Sequence, residues 1–217
     1  NEPLEVLRAC INVAVALEYL DRYDEALQVY VDIRPKLVEL DKPMVLARND
    51  FNMGVLYFWL GDYTLALRKL EEAHLAFQHL GVLAEMDQVD LYRAMLYLEL
   101  NQFNSVIETC GAIEKRARER GIIRDVVLAR RFSALARGYR QWPGDWKAAV
   151  ETLEHARDQA ESRQATIQVA QINLDIALLL LEAGLPQQAL PLAEQAVFYF
   201  EEQKLLAKQI RARIVYG

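Results

Sequence analysis

Between Asp50 and Leu60, the residues Asp50, Met53, Gly54, Tyr57 and Leu60 recur at helical spacing, and Gly61-Asp62 ends the run. A second apolar stripe, Leu67, Leu70, Ala73, His74, Phe77 and Leu80, keeps the i, i+3, i+4, i+7 rhythm until Gly81, with Thr64 predicted as its cap. Two helices joined by a short turn follow from this pattern, and the same pair returns along the chain. Ala14, Gly54, Ala94, Ala134, Ala177 and Gly217 stand 40, 40, 40, 43 and 40 residues apart. Between successive members lies a second cluster: Tyr23-Asp24-Glu25-Ala26-Leu27, Tyr63-Thr64-Leu65-Ala66-Leu67, Phe103-Asn104-Ser105-Val106-Ile107, Trp146-Lys147-Ala148-Ala149-Val150 and Pro186-Gln187-Gln188-Ala189-Leu190. One period carried by two signals marks an internal repeat whose units cannot bury their apolar faces alone and must stack.

The expected architecture is therefore all-α: a single solenoid domain over residues 1–217, of five helix pairs and the first helix of a sixth. Its units fall at about 4–43, 44–83, 84–123, 124–166 and 167–206, with a partial unit at 207–217. A glycine or alanine at the repeated small position lets the two helices of a pair approach at the low end of the usual range of about 8–10 Å. The 43-residue interval predicts a longer turn at Gln141-Trp142-Pro143-Gly144-Asp145. Pro35 and Pro191 predict kinks or late starts in second helices. With no initiating methionine and Gly217 in mid-helix, the chain is expected to be a piece of a longer protein, open to self-association through its severed last unit.

These units resemble the tetratricopeptide repeat family, whose signature couples Leu-Gly-x2-Tyr to a later Ala-x3-Phe. The second unit matches most fully, with Met53-Gly54, Tyr57, Gly61-Asp62-Tyr63, Ala66 and Leu70. The first has Val13-Ala14, Leu17, Tyr23, Ala26 and Tyr30, and the fifth has Ile176-Ala177, Leu180, Gly184 and Ala189. The spacing departs from the family's period of about 34 residues, and no unit carries the terminal proline. The extra residues are expected to lengthen the helices, as in long-unit members found in large bacterial signalling proteins. HEAT and armadillo repeats lack this coupling of small residue and Tyr-x2-Ala-Leu.

The resemblance implies a right-handed α-α superhelix whose first helices line a concave face. In this register the face carries Arg48, Phe51, Asn52, Val55, Phe58 and Trp59, then Gln88, Leu91, Tyr92, Met95 and Leu98, then Leu128, Arg131, Phe132, Leu135 and Tyr139. Such an apolar, aromatic surface suits helix-in-groove recognition of a protein or peptide, in trans or from another domain of the same polypeptide. Trp59 is the expected anchor. Of the positions at which some family members clamp a terminal carboxylate, only Asn52 matches, because the others hold Ile11, Val15, Gln88 and Tyr92. Asn12 and Asn52 are candidate donors to a peptide backbone. The implied role is a scaffold or regulatory arm; the alternative is an effector-sensing domain of a transcription regulator, signalling ATPase or protease.

Composition narrows this further. A net charge of −6 gives no general attraction to nucleic acid or anionic membranes. Residues 114–140 are an exception, with nine basic side chains, Lys115, Arg116, Arg118, Arg120, Arg124, Arg130, Arg131, Arg137 and Arg140, against three acidic ones. A salt-bridged, solvated face is the expected reading there; the alternative is a patch that steers an acidic partner or contacts phosphates. The longest apolar run, Ile176 to Leu181, is six residues, far below the roughly 20 of a membrane helix. Cys10 and Cys110 sit at core-type helical positions without metal-site spacing and read as buried thiols in a reducing, cytoplasmic setting. No phosphate loop, Gly-x-Ser-x-Gly, His-Glu-x-x-His or dinucleotide fingerprint occurs, so neither catalysis nor a cofactor or metal is expected.

Overall fold

The computed structural model describes residues 2–141 and 144–216, which contain eleven α-helices and no strand. They are α1 (Glu2–Tyr19), α2 (Tyr23–Glu39), α3 (Pro43–Trp59), α4 (Tyr63–His79), α5 (Leu83–Glu99), α6 (Phe103–Glu119), α7 (Ile123–Arg140), α8 (Asp145–Glu161), α9 (Thr166–Glu182), α10 (Pro186–Glu202) and α11 (Leu206–Tyr216). Gly217 and the Trp142-Pro143 part of the expected long turn lie outside the described residues. The chain falls into two compact units, residues 1–96 and 97–217, with the division inside α5.

A one-residue punctuation mark sets the helix lengths. Asp21, Asp41, Gly61, Gly81, Asn101, Gly121 and Gln141 all have positive φ, and after the inserted residues Gln164, Gly184 and Lys204 resume the series. At Gly61 the geometry is a Schellman stop: Asp62 N donates to Tyr57 O at 2.9 Å and Gly61 N to Phe58 O at 3.1 Å, satisfying carbonyls that the helix end leaves free. The cap of α4 is Asp62, whose carboxylate accepts from Leu65 N at 3.0 Å, and not Thr64, which lies inside the helix. Pro35 and Pro191 cause no late start: α2 runs unbroken from Tyr23 and α10 from Pro186. Each proline costs its helix one internal hydrogen bond and leaves the element intact.

In the first unit, Ala14, Ala26, Tyr30, Ile33 and Leu37 join Met53 and Leu56 in one core, while Ala66, Leu70, Ala73 and Phe77 meet Ala47, Met86 and Val89 in the next. The second unit buries Ala170 and Leu174 of α9 against Ala196 and Phe200 of α10 and Ala212 of α11. The repeated Ala14, Ala94, Ala134 and Ala177 are at most 1% exposed, as are Ala26, Ala66, Val106, Ala149 and Ala189 of the second clusters. Cys110 is buried as expected, Cys10 is only half-buried, and neither is in a disulfide.

Successive pairs are also joined by polar contacts that recur in register. Arg34 of α2 holds Asp50 of α3 with two bonds, Nε to Oδ1 at 2.7 Å and Nη2 to Oδ2 at 3.0 Å. Sixteen residues again separate His74 from Asp90 (Nδ1 to Oδ1, 2.7 Å), Glu114 from Arg130 (2.7 Å) and Arg157 from Asn173 (3.5 Å). In each case a second helix reaches the first helix of the next pair, four residues before its small residue. At the first joint Lys69 Nζ adds bonds to Asp50 Oδ1 at 3.1 Å and Glu72 Oε2 at 2.5 Å, closing a four-residue network around a carboxylate that is 4% exposed.

Candidate functional site

The expected contact residues of the first unit gather between α3 and α5. Arg48, Phe51 and Asn52 from α3, with Glu85 and Gln88 from α5, surround a recess of about 230 Å³ floored by the buried Phe77. The helical rise places these side chains on one face: Arg48 and Asn52 are four apart, as are Gln88 and Tyr92. Phe51 forms one wall of the recess and meets Tyr92, outside the lining, edge to face at a centroid distance of 5.4 Å. Across the rim Arg48 Nη2 bonds Glu85 Oε1 at 2.6 Å. An exposed pair of this kind is worth less than about 1 kcal/mol, so both charges can be handed to an incoming ligand at little cost.

Asn52 is held by the fold. Its Nδ2 donates to the Tyr30 hydroxyl at 3.0 Å, and Tyr30 in turn donates to Glu18 Oε1 at 2.7 Å. Burial, then the Glu18 carboxylate, pushes the Tyr30 hydroxyl well above its ordinary pKa, so Tyr30 keeps the proton it donates to Glu18. Burial likewise raises Glu18, against the opposing pull of the Tyr30 hydrogen bond. Asn52 therefore presents a fixed carboxamide edge to the recess.

The other predicted residues lie elsewhere. Val55 and Met95 are half-buried, Met95 against the α3–α5 core. Phe58 is 8% exposed and packs on Trp59 and Tyr63, whereas Trp59, 53% exposed at the end of α3, is outside the recess lining. In the second unit Phe132 is 8% exposed, and Tyr139 tilts against Phe103 at 6.5 Å. Arg131 bonds the buried Asp175 of α9 through Nε and Nη2 and lies over the Phe132 ring. Burial, then the Arg131 charge, lowers the pKa of Lys208 on α11.

The basic segment is largely spent on internal pairs. Arg118 and Arg130 both bond Glu114, Arg124 bonds Asp125, and Arg140 bonds Asp145 and Asn104. Among the described residues, no cluster of three or more His, Cys, Asp or Glu could hold a metal ion, and no helix is long and apolar enough to cross a membrane.

No family model matches the chain, and no curated protein matches it. Solved structures do. RapI in its apo form superposes with a TM-score of 0.80 at 11% identity, over 97% of this chain and 76% of that one. The Rap conjugation gene regulator of plasmid pLS20, in complex with the Phr* peptide, gives 0.74 at 14% identity over 94% of this chain. The signal transduction ATPase with a tetratricopeptide repeat sensor from Pyrococcus horikoshii gives 0.72 at 12% identity over 97% of this chain. The chain has a tetratricopeptide-like helical-repeat fold. This tetratricopeptide-like chain spans 55% of the pLS20 regulator and 34% of the ATPase.

Sequence reasoning missed one feature of the second unit altogether. A cleft of about 380 Å³ lies where α9 meets α8 and α10, away from the predicted first-helix face, and it is bounded by the turn residue Gln164. Its only signal in the sequence is the change from charged residues to Asn173 at the interhelix polar position.

Proposed function

We propose that this chain is a protein- or peptide-binding solenoid acting as the scaffold or regulatory arm of a larger intracellular protein. The observation that carries the reading is the α3–α5 recess. It combines the rings of Phe51 and Phe77, a weakly held Arg48–Glu85 pair and the fixed carboxamide of Asn52. Aromatic walls supply apolar anchoring area, while Arg48, Asn52 and Gln88 can hydrogen-bond the backbone of an extended or helical peptide. The pLS20 regulator, similar in fold, was captured with a peptide, which favours this class of ligand. A sensor role within a multidomain regulator is the second reading, favoured by the likeness to a repeat sensor of a signalling ATPase.

Peptides selected from a random library on the full chain provide the test. Phe51→Ala is expected to weaken the selected peptides about 30-fold or more, the effect of a central anchor near 2 kcal/mol. Trp59→Ala, at a more peripheral place, is expected to weaken them less. Affinity unchanged by Phe51→Ala would remove the recess from the binding site.

A further inference from the structure

The interhelix polar series changes character at its last joint. At the first joint Arg34, Asp50, Lys69 and Glu72 fill the space between α2, α3 and α4 with a closed ionic network. At the α8–α9–α10 joint the residues in the same register are Arg157, Asn173, Leu192 and Gln195. Asn173 is 4% exposed; its Nδ2 donates to Gln195 Oε1 at 3.2 Å, while Arg157 reaches its Oδ1 only at 3.5 Å. Two carboxamides thus stand where the first joint has the carboxylates Asp50 and Glu72, Leu192 stands where it has Lys69, and the space is open as the cleft of about 380 Å³.

Its chemistry is restrictive. Val169, Ala170 and the Tyr199 ring supply carbon surface, and the Tyr199 hydroxyl is turned to Thr166 Oγ1 at 3.1 Å. The polar groups lining it are carboxamides, hydroxyls and one carboxylate, Glu161. Arg157 lies 3.9 Å from Glu161 and also approaches Asn173, so its charge is engaged by the cleft's own polar groups. A buried carboxamide offers both a donor and an acceptor, and leaving either without a partner when a ligand excludes water costs about 1–3 kcal/mol. A matching ligand group must therefore both donate and accept while carrying no negative charge. The volume lies within the range of about 300–1,000 Å³ usual for small-molecule sites.

We propose that this cleft is a second ligand site, distinct from the α3–α5 recess, which binds a small uncharged molecule with a carboxamide head and an apolar body. Asn173 and Gln195 pair with the head, Val169, Ala170 and Tyr199 cover the body, and Glu161 at the mouth repels carboxylates.

Benzamide and benzoate, which share a ring and differ in the head group, are suitable probes, read by NMR of the full chain. Benzamide is expected to give saturable shifts at Val169 and Ala170 below about 10 mM, with benzoate at least tenfold weaker. Gln195→Met, at an exposed position, and Val169→Phe, which fills the cleft, should each weaken benzamide about tenfold while leaving the helical spectrum unchanged. Absence of saturable shifts overturns the proposal, as does equal binding of benzoate. Shifts that persist undiminished in both variants overturn it as well. None of these outcomes depends on whether the α3–α5 recess binds peptide.

Discussion

Gly54 and Leu70 touch with no room for a methyl group between them. A Cβ on Gly54 would lie 2.9 Å from Leu70 Cγ and 3.2 Å from the Leu70 backbone nitrogen, so α3 packs directly against the backbone of α4. Gly54→Leu is expected to destabilise the protein by about 1–3 kcal/mol through overpacking, read as a lower urea midpoint at constant m. An unchanged midpoint would mean that the helices can separate without loss.

Asp50 anchors two cations, one of them the largely buried Lys69. Removing the carboxylate leaves that ammonium, in a poorly solvated place, with Glu72 as its remaining partner. Asp50→Ala should therefore cost about 1.5–3 kcal/mol, and Asp50→Ala with Lys69→Met less than Asp50→Ala alone. Thermal and urea denaturation of the three proteins measures the difference. Equal stability of the single and double variants would sink the account.

Asp41 occupies a turn at φ 47°, a conformation that costs a side chain free energy and a glycine almost none. Asp41→Gly is expected to stabilise, by about 0.5–1 kcal/mol, net of the added freedom of the unfolded chain. A lower melting temperature would show that the aspartate contributes something beyond backbone geometry.

Asp90 gives an acid-sensitive joint. Burial pushes its carboxyl upward, but His74 and Arg93 outweigh burial and hold it below the ordinary carboxylate range. With the folded pKa below the unfolded one, the stabilisation is fully present above about pH 4 and is lost as pH falls through the folded pKa. Asp90→Asn should flatten this acid limb of the stability curve. Urea midpoints from pH 2 to 7 test it, and parallel curves for the two proteins would contradict it.

The repeat, its turns and the helix-pair order were legible because they depend on residue size and backbone conformation, which leave a periodic mark. The first small position holds only alanine or glycine from unit to unit, and the second cluster keeps alanine in four of five units, with Val106 in the third. The polar joints were not legible, because the position that carries them reads Asp50, Asp90, Arg130 and Asn173, and no single chemistry repeats there. Only the stacked helices bring Glu114 to Arg130 and reveal a pairing with its charges exchanged. Of the residues named for the first-helix face, Arg48, Phe51, Asn52 and Gln88 line one recess, because helical spacing fixes which residues share a side. The fate of Arg131 depended on Asp175, 44 residues away, and helical periodicity carries no information about such a partner. The α8–α9–α10 cleft was invisible for a related reason: it is an absence of side-chain volume at a joint, and volume is known only after packing.

The one-residue left-handed turns restrict how such a chain can change length. With about 3.6 residues per helical turn, one residue inserted within a helix swings everything beyond it through about 100° and turns buried faces outward. Lengthening is tolerated as a whole helix with its turn, or inside a turn, and the three additional residues of the 43-residue interval fall between the left-handed Gln141 and Trp146, the second residue of α8. Insertions and deletions among relatives should therefore cluster at these turns or come as whole helices, a quantised pattern imposed by backbone handedness before any demand of function acts.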